Sequence, residues 1–271
     1  MAINYASKYA QKIDEKFSKE ALTDNAVNKD YDFVGVKTVN VYSIPTAPMN
    51  DYSRTGENRY GTPAELQNTV QELTLSKDRS FTFSIDRGNH DDTMMSSAAG
   101  AALQRQLREV VIPEIDKYRL DKLASVTAGA TAEITSENAY EAFLDGAAEM
   151  FNALVPTEDC MAFVSSDFYK LIKTDPSFVR NGDASQNMLV KGQVGMIDGI
   201  KLVAVPDSLM PANTAFIIAA RSAVVSPVKL AEYKIHDNPP GINGWLVEGR
   251  VYYDAFILNN KKSGVYVHKT A

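Results

Sequence analysis

Residues with metal-binding side chains cluster at one place in the sequence, the segment "NHDDT", which contains His90, Asp91 and Asp92. A metal site needs several side chains that converge on one point. Three consecutive residues point in different directions, and no second histidine or cysteine follows at a ligand spacing. The two aspartates are better explained as favourable charges before the N-terminus of the next helix. The sequence therefore predicts no metal site, and metal-dependent catalysis by these three residues is the least favoured hypothesis.

Nucleophilic side chains do not form a catalytic pattern either. Cys160 lies in the apolar run "CMAFV" with no histidine near it in sequence, so we expect it to pack as a small hydrophobe. The segment from Ser165 to Asp167 is explained by a serine that caps the helix "FYKLIK". His236 and His268 stand alone near predicted strand ends, which favours packing over catalysis. We predict no catalytic residue and no cofactor.

The segment "GQVGMIDGIKLV" contains Gly192, Gly195 and Gly199 and invites comparison with a phosphate-binding loop. A phosphate loop has the order strand, glycines, helix, so that backbone N–H groups at a helix N-terminus face the anion. Here a β-branched run follows the glycines, and a strand is expected in place of a helix. The glycines therefore predict a tight turn that leads into a strand.

The composition of the 271-residue chain is that of an ordinary globular protein, with 45% hydrophobic and 23% charged residues. The net charge is −6, and acidic and basic residues balance near the N-terminus, which argues against a nucleic-acid-binding arm. The apolar runs are far shorter than the roughly 20 residues of a membrane span. The charged N-terminus lacks the apolar stretch of a signal peptide. A single cysteine fits synthesis in a cytoplasm.

A helix of about twenty residues is predicted at the N-terminus, because Tyr5, Tyr9, Ile13 and Phe17 recur every four residues with charged residues between them. This spacing is typical of one apolar stripe on a helix. The helix either folds onto its own domain or lies on a neighbouring subunit, and nothing just downstream obviously receives it.

Two predicted strands, 34–44 and 70–86, flank a polar segment rich in proline, glycine and asparagine. Long connections without their own core are uncommon in compact domains and are usually functional or disordered. A long hairpin cannot bury its own faces. We therefore expect it to need a partner surface, in this molecule or in another.

A long amphipathic helix is predicted from residue 98 to 124, with Pro113 inside it. Proline removes one backbone hydrogen bond and bends a helix. The apolar stripe continues across the proline, which favours one bent helix over two helices broken near Ile112. Strands and short helices follow to residue 238, and "NNKKSG" predicts a hairpin between the last two strands. The element order indicates an α+β fold with one long projection.

This ordered set of elements resembles the major capsid proteins of tailed bacteriophages, which have the Hong Kong 97-type fold. The hairpin around Arg54–Gly61 is similar to the family's extended E-loop. The segment "SFTFSIDRGNHDDT" before the long helix is similar to the strand that enters its spine helix. The segments "MAFVSSDFYKLIKTDP" and "GQVGMIDGIKLVAVPDSLMP" look like parts of its axial domain.

The resemblance implies five segments over nearly the whole chain. These are an N-terminal arm (1–33), the E-loop hairpin and strand (34–88), a peripheral domain with the spine helix (89–132), a mixed α/β axial domain (133–238) and the closing strands of the peripheral domain (239–271). It also implies inter-subunit contacts by the arm and by Arg54, Glu57, Arg59 and Tyr60 at the hairpin tip. The turn of Gly192, Gly195 and Gly199 falls in the axial domain.

The function implied is structural: a major capsid protein that assembles into the icosahedral head shell around the double-stranded DNA of a tailed phage or prophage. Its partners would be many copies of itself in hexamers and pentamers, a separate scaffolding protein, a portal and possible decoration proteins. The location implied is the virion, after synthesis and assembly in the cytoplasm of a bacterial host, with no membrane and no sequence-specific binding of DNA. An encapsulin-like compartment around cargo enzymes is the alternative.

Overall fold

The computed structural model describes residues 21–28, 30–31, 38–63, 65–92, 99–126, 129–180 and 195–270. The described chain combines helices with a two-stranded hairpin, a three-stranded sheet, a five-stranded sheet and a short two-stranded sheet. The α+β prediction is confirmed by this mixture. The arm residues Tyr5, Tyr9, Ile13 and Phe17, and the first turn glycine, Gly192, lie outside the described residues.

The hairpin is formed by β1 (Thr38–Ser43) and β2 (Thr69–Thr74), which pair antiparallel with Thr38 opposite Thr74. Between the two strands, the described residues form turns and extended chain but no further strand. The predicted long hairpin with a polar connection is confirmed. It projects from the rest of the molecule as a ribbon of only two strands, a form that is marginally stable when isolated.

The single strand predicted over residues 70–86 is wrong in one respect, because the structure divides it into two strands. β2 ends at Thr74, and β3 (Lys77–Asp86) joins a different sheet. The chain changes direction at Ser76, whose backbone N–H and hydroxyl both donate to Oδ2 of Asp254, at 2.8 and 2.7 Å. The first of these hydrogen bonds satisfies a backbone N–H that a continuous strand would have used in its ladder.

The peripheral sheet has the order β3, β10 (Gly244–Tyr253), β9 (Val228–Asp237), and every pair is antiparallel. From Val247 to Tyr253 every second residue of β10 is buried, as expected for a strand with one covered face. Gly249 lies on this face, and the ring of Phe81 packs over it. A Cβ atom at position 249 would overlap that ring, so a larger residue there requires the ring of Phe81 to shift.

The long helix consists of α2 (Ala99–Gln106), a π-helical turn (Leu107–Val111) and α3 (Ile112–Ala124), and it follows the short helix α1 (Arg87–Asp92). The backbone is helical without a break from residue 99 to 124, which confirms the prediction of one helix. Ile112 donates its N–H to the carbonyl of Leu107, five residues back. This wider turn places Pro113 in the first turn of α3, where its missing N–H costs least.

The axial sheet has five strands in the order β12 (Val265–Lys269), β7 (Thr214–Ala220), β4 (Cys160–Ser165), β6 (Ile200–Val205), β5 (Met196–Ile197). Only β4 and β6 pair in parallel among these strands. Two helices, α4 (Ala139–Asn152) and α5 (Ser166–Thr174), pack through Phe143 and Phe168, whose rings lie 5.5 and 4.7 Å from that of Phe216. This cluster is the main hydrophobic core.

Two local predictions in the axial domain are confirmed. Oγ of Ser165 accepts a hydrogen bond from the N–H of Phe168 at 3.1 Å and caps α5. Asp198 and Gly199 form the two-residue turn between β5 and β6, with φ of +47° and +80°. Such a turn needs two residues with positive φ, and this explains the glycine. Gly195 lies just before β5, and its carbonyl accepts from the N–H of Leu202 at 3.0 Å.

The hairpin predicted around "NNKKSG" is wrong. Residues Asn259–Gly264 form 3-10 turns that join β11 (Phe256–Ile257) to β12. β11 pairs with β8 (Val224–Val225), whereas β12 pairs with β7 in the axial sheet. The two strands separate because the side chains of β12 are buried in the axial core, where Val267 and Tyr266 are almost inaccessible.

Candidate functional site

The hairpin carries most of the large apolar side chains that the described residues expose. Seven of the thirteen lie between residues 42 and 70, and they are Tyr42, Ile44, Met49, Tyr52, Tyr60, Leu66 and Val70. Met49 is 98% exposed and Tyr60 is 84% exposed. Single exposed apolar residues are normal, but their concentration on one segment makes the hairpin the candidate interaction site.

The four tip residues named from the sequence, Arg54, Glu57, Arg59 and Tyr60, lie together in one exposed turn. Nε of Arg59 donates to the carbonyl of Gly56 at 3.2 Å, so this guanidinium helps to shape the turn. The ring of Tyr60 packs edge-on against Tyr52 at 5.0 Å. Within the described part of the chain, Arg54 and Glu57 form no ion pair, and their charges face outward.

The root of the hairpin is anchored, in contrast to its tip. Leu73 and Leu75 are buried against Val225 and Leu258 in a small apolar cluster. The side-chain amide of Gln71 donates to the carbonyl of Ile257 at 3.0 Å and accepts from the N–H of Asn259 at 2.8 Å. The projection therefore extends from a fixed base.

Asp254 connects this root to the long helix. Its side chain is buried and accepts from Ser76 on one oxygen and from the hydroxyl of Tyr118 on the other, at 2.7 Å. Desolvation, followed by the hydrogen bond to Asp254, raises the pKa of Tyr118 to about 12. The tyrosine stays protonated and keeps donating throughout the neutral range. No local sequence pattern marks Asp254, because its partners Ser76 and Tyr118 are distant in the chain.

A second buried polar cluster fixes Leu22 and Thr23 to the long helix. Asp116 on α3 accepts from the backbone N–H groups of Leu22 and Thr23, at 2.8 and 3.3 Å. Arg119, one turn further, donates to the hydroxyls of Thr23 and Ser226, at 3.0 and 2.8 Å. Burial lowers the pKa of Arg119, and the nearby carboxylates of Asp24 and Asp116 oppose this effect.

The sequence contains a signal for one member of this cluster. Asp116 precedes Leu120 and Leu123 by four and seven residues, so all three occupy the same side of the helix. A carboxylate on an apolar stripe must be paired when the stripe is buried. The partner was not predictable, because Thr23 is distant in sequence.

The residues considered for chemistry take structural roles where the structure describes them. The pKa of Cys160 is raised to about 11 by desolvation and by the charge of Asp159, so the thiol is protonated at neutral pH. The ring of His90 packs edge-on against Trp245 at 5.3 Å. His236 lies 3.2 Å from Glu248 on the exposed face of the peripheral sheet.

Neither a metal site nor a membrane span is found in the described ranges. No group of three or more histidine, cysteine, aspartate or glutamate side chains there could hold a metal ion. Asp91 and Asp92 lie in α1 by their backbone. None of the described helices has the length and apolar character needed to cross a membrane.

The fold defines a class: a projecting hairpin, a long helix on a three-stranded sheet and a separate axial sheet make up the Hong Kong 97-type capsid fold. A family model described as phage capsid protein matches residues 70–267. The chain therefore belongs to the phage capsid protein family, and its function is that of a structural major capsid protein. Many copies of it form a shell, and its place is the virion capsid.

Solved structures agree with this assignment at the level of the fold. A structure from Mycobacterium phage Che8 has a TM-score of 0.80 at 15% identity, covering 97% of this chain and 96% of the other. The capsid structure of cyanophage P-SCSP1u has a TM-score of 0.74 at 12% identity, covering 98% and 93%. The mature capsid of bacteriophage PhiM1 has a TM-score of 0.72 at 11% identity, covering 98% and 92%.

A comparison with curated protein sequences gives no match. No encapsulin stands among these similar structures, so the alternative of a cargo compartment has no support from them.

Proposed function

We propose that the chain builds an icosahedral head shell, as hexamers and pentamers, around the double-stranded DNA of a tailed phage or prophage. The observation that carries this proposal is the hairpin, whose root is anchored by buried contacts and whose apolar side chains are exposed. Such a projection is stabilised by a neighbouring copy. Each contact of this kind is modest, and a closed shell sums many of them.

The inter-subunit contacts are assigned to two parts of the chain. At the hairpin tip, Arg54, Glu57, Arg59 and Tyr60 make ion pairs and hydrogen bonds with a neighbouring copy. The arm, through Tyr5, Tyr9, Ile13 and Phe17, lies across another copy, and its fixed point is the cluster of Thr23 with Asp116. The turn of Gly192, Gly195 and Gly199 belongs to the axial domain and binds no phosphate.

The five segments expected from the sequence are kept as a division along the chain, with boundaries at residues 33, 88, 132 and 238, although strand pairing crosses them: β9 joins the peripheral sheet and β12 joins the axial sheet. Arm, hairpin, spine helix, axial domain and closing strands then each have a separate role in the shell. The chain has no catalytic role in this proposal. A separate scaffolding protein, a portal and possible decoration proteins complete the particle, which is assembled in the bacterial cytoplasm. A net charge of −6 suits a container that does not hold packaged DNA tightly.

Negative-stain electron microscopy and light scattering on the purified protein test the proposal directly. We expect closed shells, or sheets and tubes of capsid-like subunits, tens of nanometres across. A uniform monomer or dimer, even after co-expression with a candidate scaffolding protein, would contradict it.

A further inference from the structure

A groove between α4 and the edge strand β12 takes no part in the contacts assigned above. Its volume is about 510 Å³. Its floor includes Tyr266 and His268 of β12, and its rim includes Glu133, Glu141, Asp145 and Glu149. None of the described residues that line the groove is a lysine or an arginine. The groove therefore presents concentrated negative charge.

Three of these carboxylates are spaced four residues apart on α4, at Glu141, Asp145 and Glu149, and all three are exposed. Side chains at this spacing are neighbours on a helix, and like charges there repel one another. No ion pair within the described ranges relieves the repulsion. A cation supplied from outside the subunit would relieve it.

His268 gives an independent indication that the groove takes a partner. The residue is 4% exposed, and its Nε2 atom has no hydrogen-bond partner among the described residues. Its Nδ1 atom lies 3.5 Å from the hydroxyl of Tyr266, and its ring stacks on Phe216 at 5.0 Å. A buried nitrogen without a partner is unusual in a folded protein and needs an explanation.

The end of α4 beside the groove exposes two large apolar side chains, Phe151 and Leu154. Leu154 is 90% exposed and has φ of +58°, a conformation that favours glycine. The helix ends there with the N–H of Val155 bonded to the carbonyl of Met150 at 3.1 Å. A strained, exposed leucine at a glycine position points to a contact outside the subunit.

The opposite edge of the same sheet exposes a lysine. Lys201 on β6 is exposed, and its cross-strand partner Met196 on β5 is an exposed apolar residue. β12 and β5 are the two edges of the axial sheet. In a ring of identical copies, each copy presents one side to the opposite side of the next.

We propose that the groove between α4 and β12 receives Lys201 of the neighbouring copy, with Phe151 and Leu154 against that copy's β5 edge. The lysine neutralises the row of carboxylates, and the covering copy closes the groove over His268. This inference rests on the proposed function, because it assigns a ring contact within the shell.

Charge exchange tests the pairing. Asp145→Lys and Lys201→Asp are each expected to lower the yield of assembled particles at least tenfold, and the double variant is expected to restore it. Glu137→Lys, next to α4 but outside the lining of the groove, serves as the control and should assemble normally. Single variants that assemble normally, or a double variant that stays defective, would overturn the proposal.

The substitution Leu154→Gly is expected to affect the stability of the subunit and the yield of particles in opposite directions. Glycine fits the positive φ, so the urea midpoint of the isolated subunit should rise while the yield of particles falls. An unchanged yield would overturn the role of Leu154 in the contact. Failure of the unmodified protein to assemble at all would instead contradict the proposed function, so the two failures are distinguishable.

Discussion

Asp116 on the long helix accepts hydrogen bonds from the backbone N–H and the hydroxyl of Thr23, at 3.3 and 2.5 Å, although 93 residues separate the two in sequence. Arg119 donates to the same hydroxyl. The first described residues of the chain are thus held on the helix by buried polar contacts. Asn28 continues this attachment, since its N–H donates to the carbonyl of Val224 at 2.7 Å.

Asp116→Ala is expected to destabilise the subunit by about 3 kcal/mol, because it leaves buried donors unsatisfied and removes a carboxylate near Arg119. Urea unfolding of the unassembled subunit measures the change. Asp121→Ala, at an exposed position of the same helix, is the matched control and should change stability little. Equal effects of the two substitutions would argue against the buried cluster as the source of the stability.

Gly249→Ala is expected to cost about 1–3 kcal/mol, because the new methyl group meets the Phe81 ring. Gly100→Ala provides the contrast, since a Cβ at position 100 in α2 meets no atom within 4 Å. That substitution should stabilise the helix by roughly 0.5–1 kcal/mol. Thermal unfolding should give a lower Tm for Gly249→Ala and a higher Tm for Gly100→Ala. A shift of both Tm values in the same direction would refute this explanation.

The double substitution Arg54→Ala with Glu57→Ala is expected to reduce assembly while leaving the fold of the subunit intact. Both charges lie on the exposed tip, so their removal breaks no contact that holds the described chain together. Light scattering measures assembly, and circular dichroism checks the fold. Thr55→Ala, in the same turn but without a change of charge, serves as the control. Normal assembly of the double variant would exclude the tip charges as inter-subunit contacts.

The subunit is expected to lose stability as the pH rises from about 9 to 12. Desolvation raises the pKa of Cys160 from 9.0 to about 11, and those of Tyr118, Tyr253 and Tyr266 from 10.0 to about 12. In this window the unfolded chain has released protons that the folded chain retains, so rising pH favours unfolding. The stabilisation that these groups give the folded subunit is fully present below pH 9.

Urea midpoints measured at unit steps from pH 8 to 12 test this expectation. Cys160→Ala removes the thiol, so the decline in that variant should begin closer to pH 10. A urea midpoint that stays constant from pH 8 to 12 in both proteins would contradict the burial of the thiol and the tyrosine hydroxyls in the folded subunit. Modification of the Cys160 thiol at pH 8 should likewise require unfolding.

Features with strong local signals could be predicted from the sequence. The two-residue turn at Asp198 and Gly199 is marked by residue types that tolerate positive φ. The long helix is marked by an apolar stripe that continues across Pro113, and the hairpin by two strand patterns around a polar segment. Each of these follows from residues that are close together in the chain.

Features decided by distant residues could not be predicted. The break at Ser76 depends on Asp254, and the separation of β11 from β12 depends on which sheet buries each strand. No local sequence pattern indicates the contact of Ser76 with Asp254 or the sheet that each of these strands joins. The groove between α4 and β12 could not be predicted for the same reason, because His268 and Asp145 belong to elements far apart in the chain.

The attachment of the hairpin has a consequence for synthesis on the ribosome. Ser76 binds Asp254 across 178 residues, and Gln71 binds the backbone of Ile257 across 186. At about 5–20 residues per second, the nascent hairpin therefore waits roughly 10–40 s for the chain that fixes its base. During that interval its apolar side chains are accessible while neighbouring ribosomes on the same message display identical segments. Polysome spacing and translation rate thus become determinants of how many subunits reach the shell correctly folded.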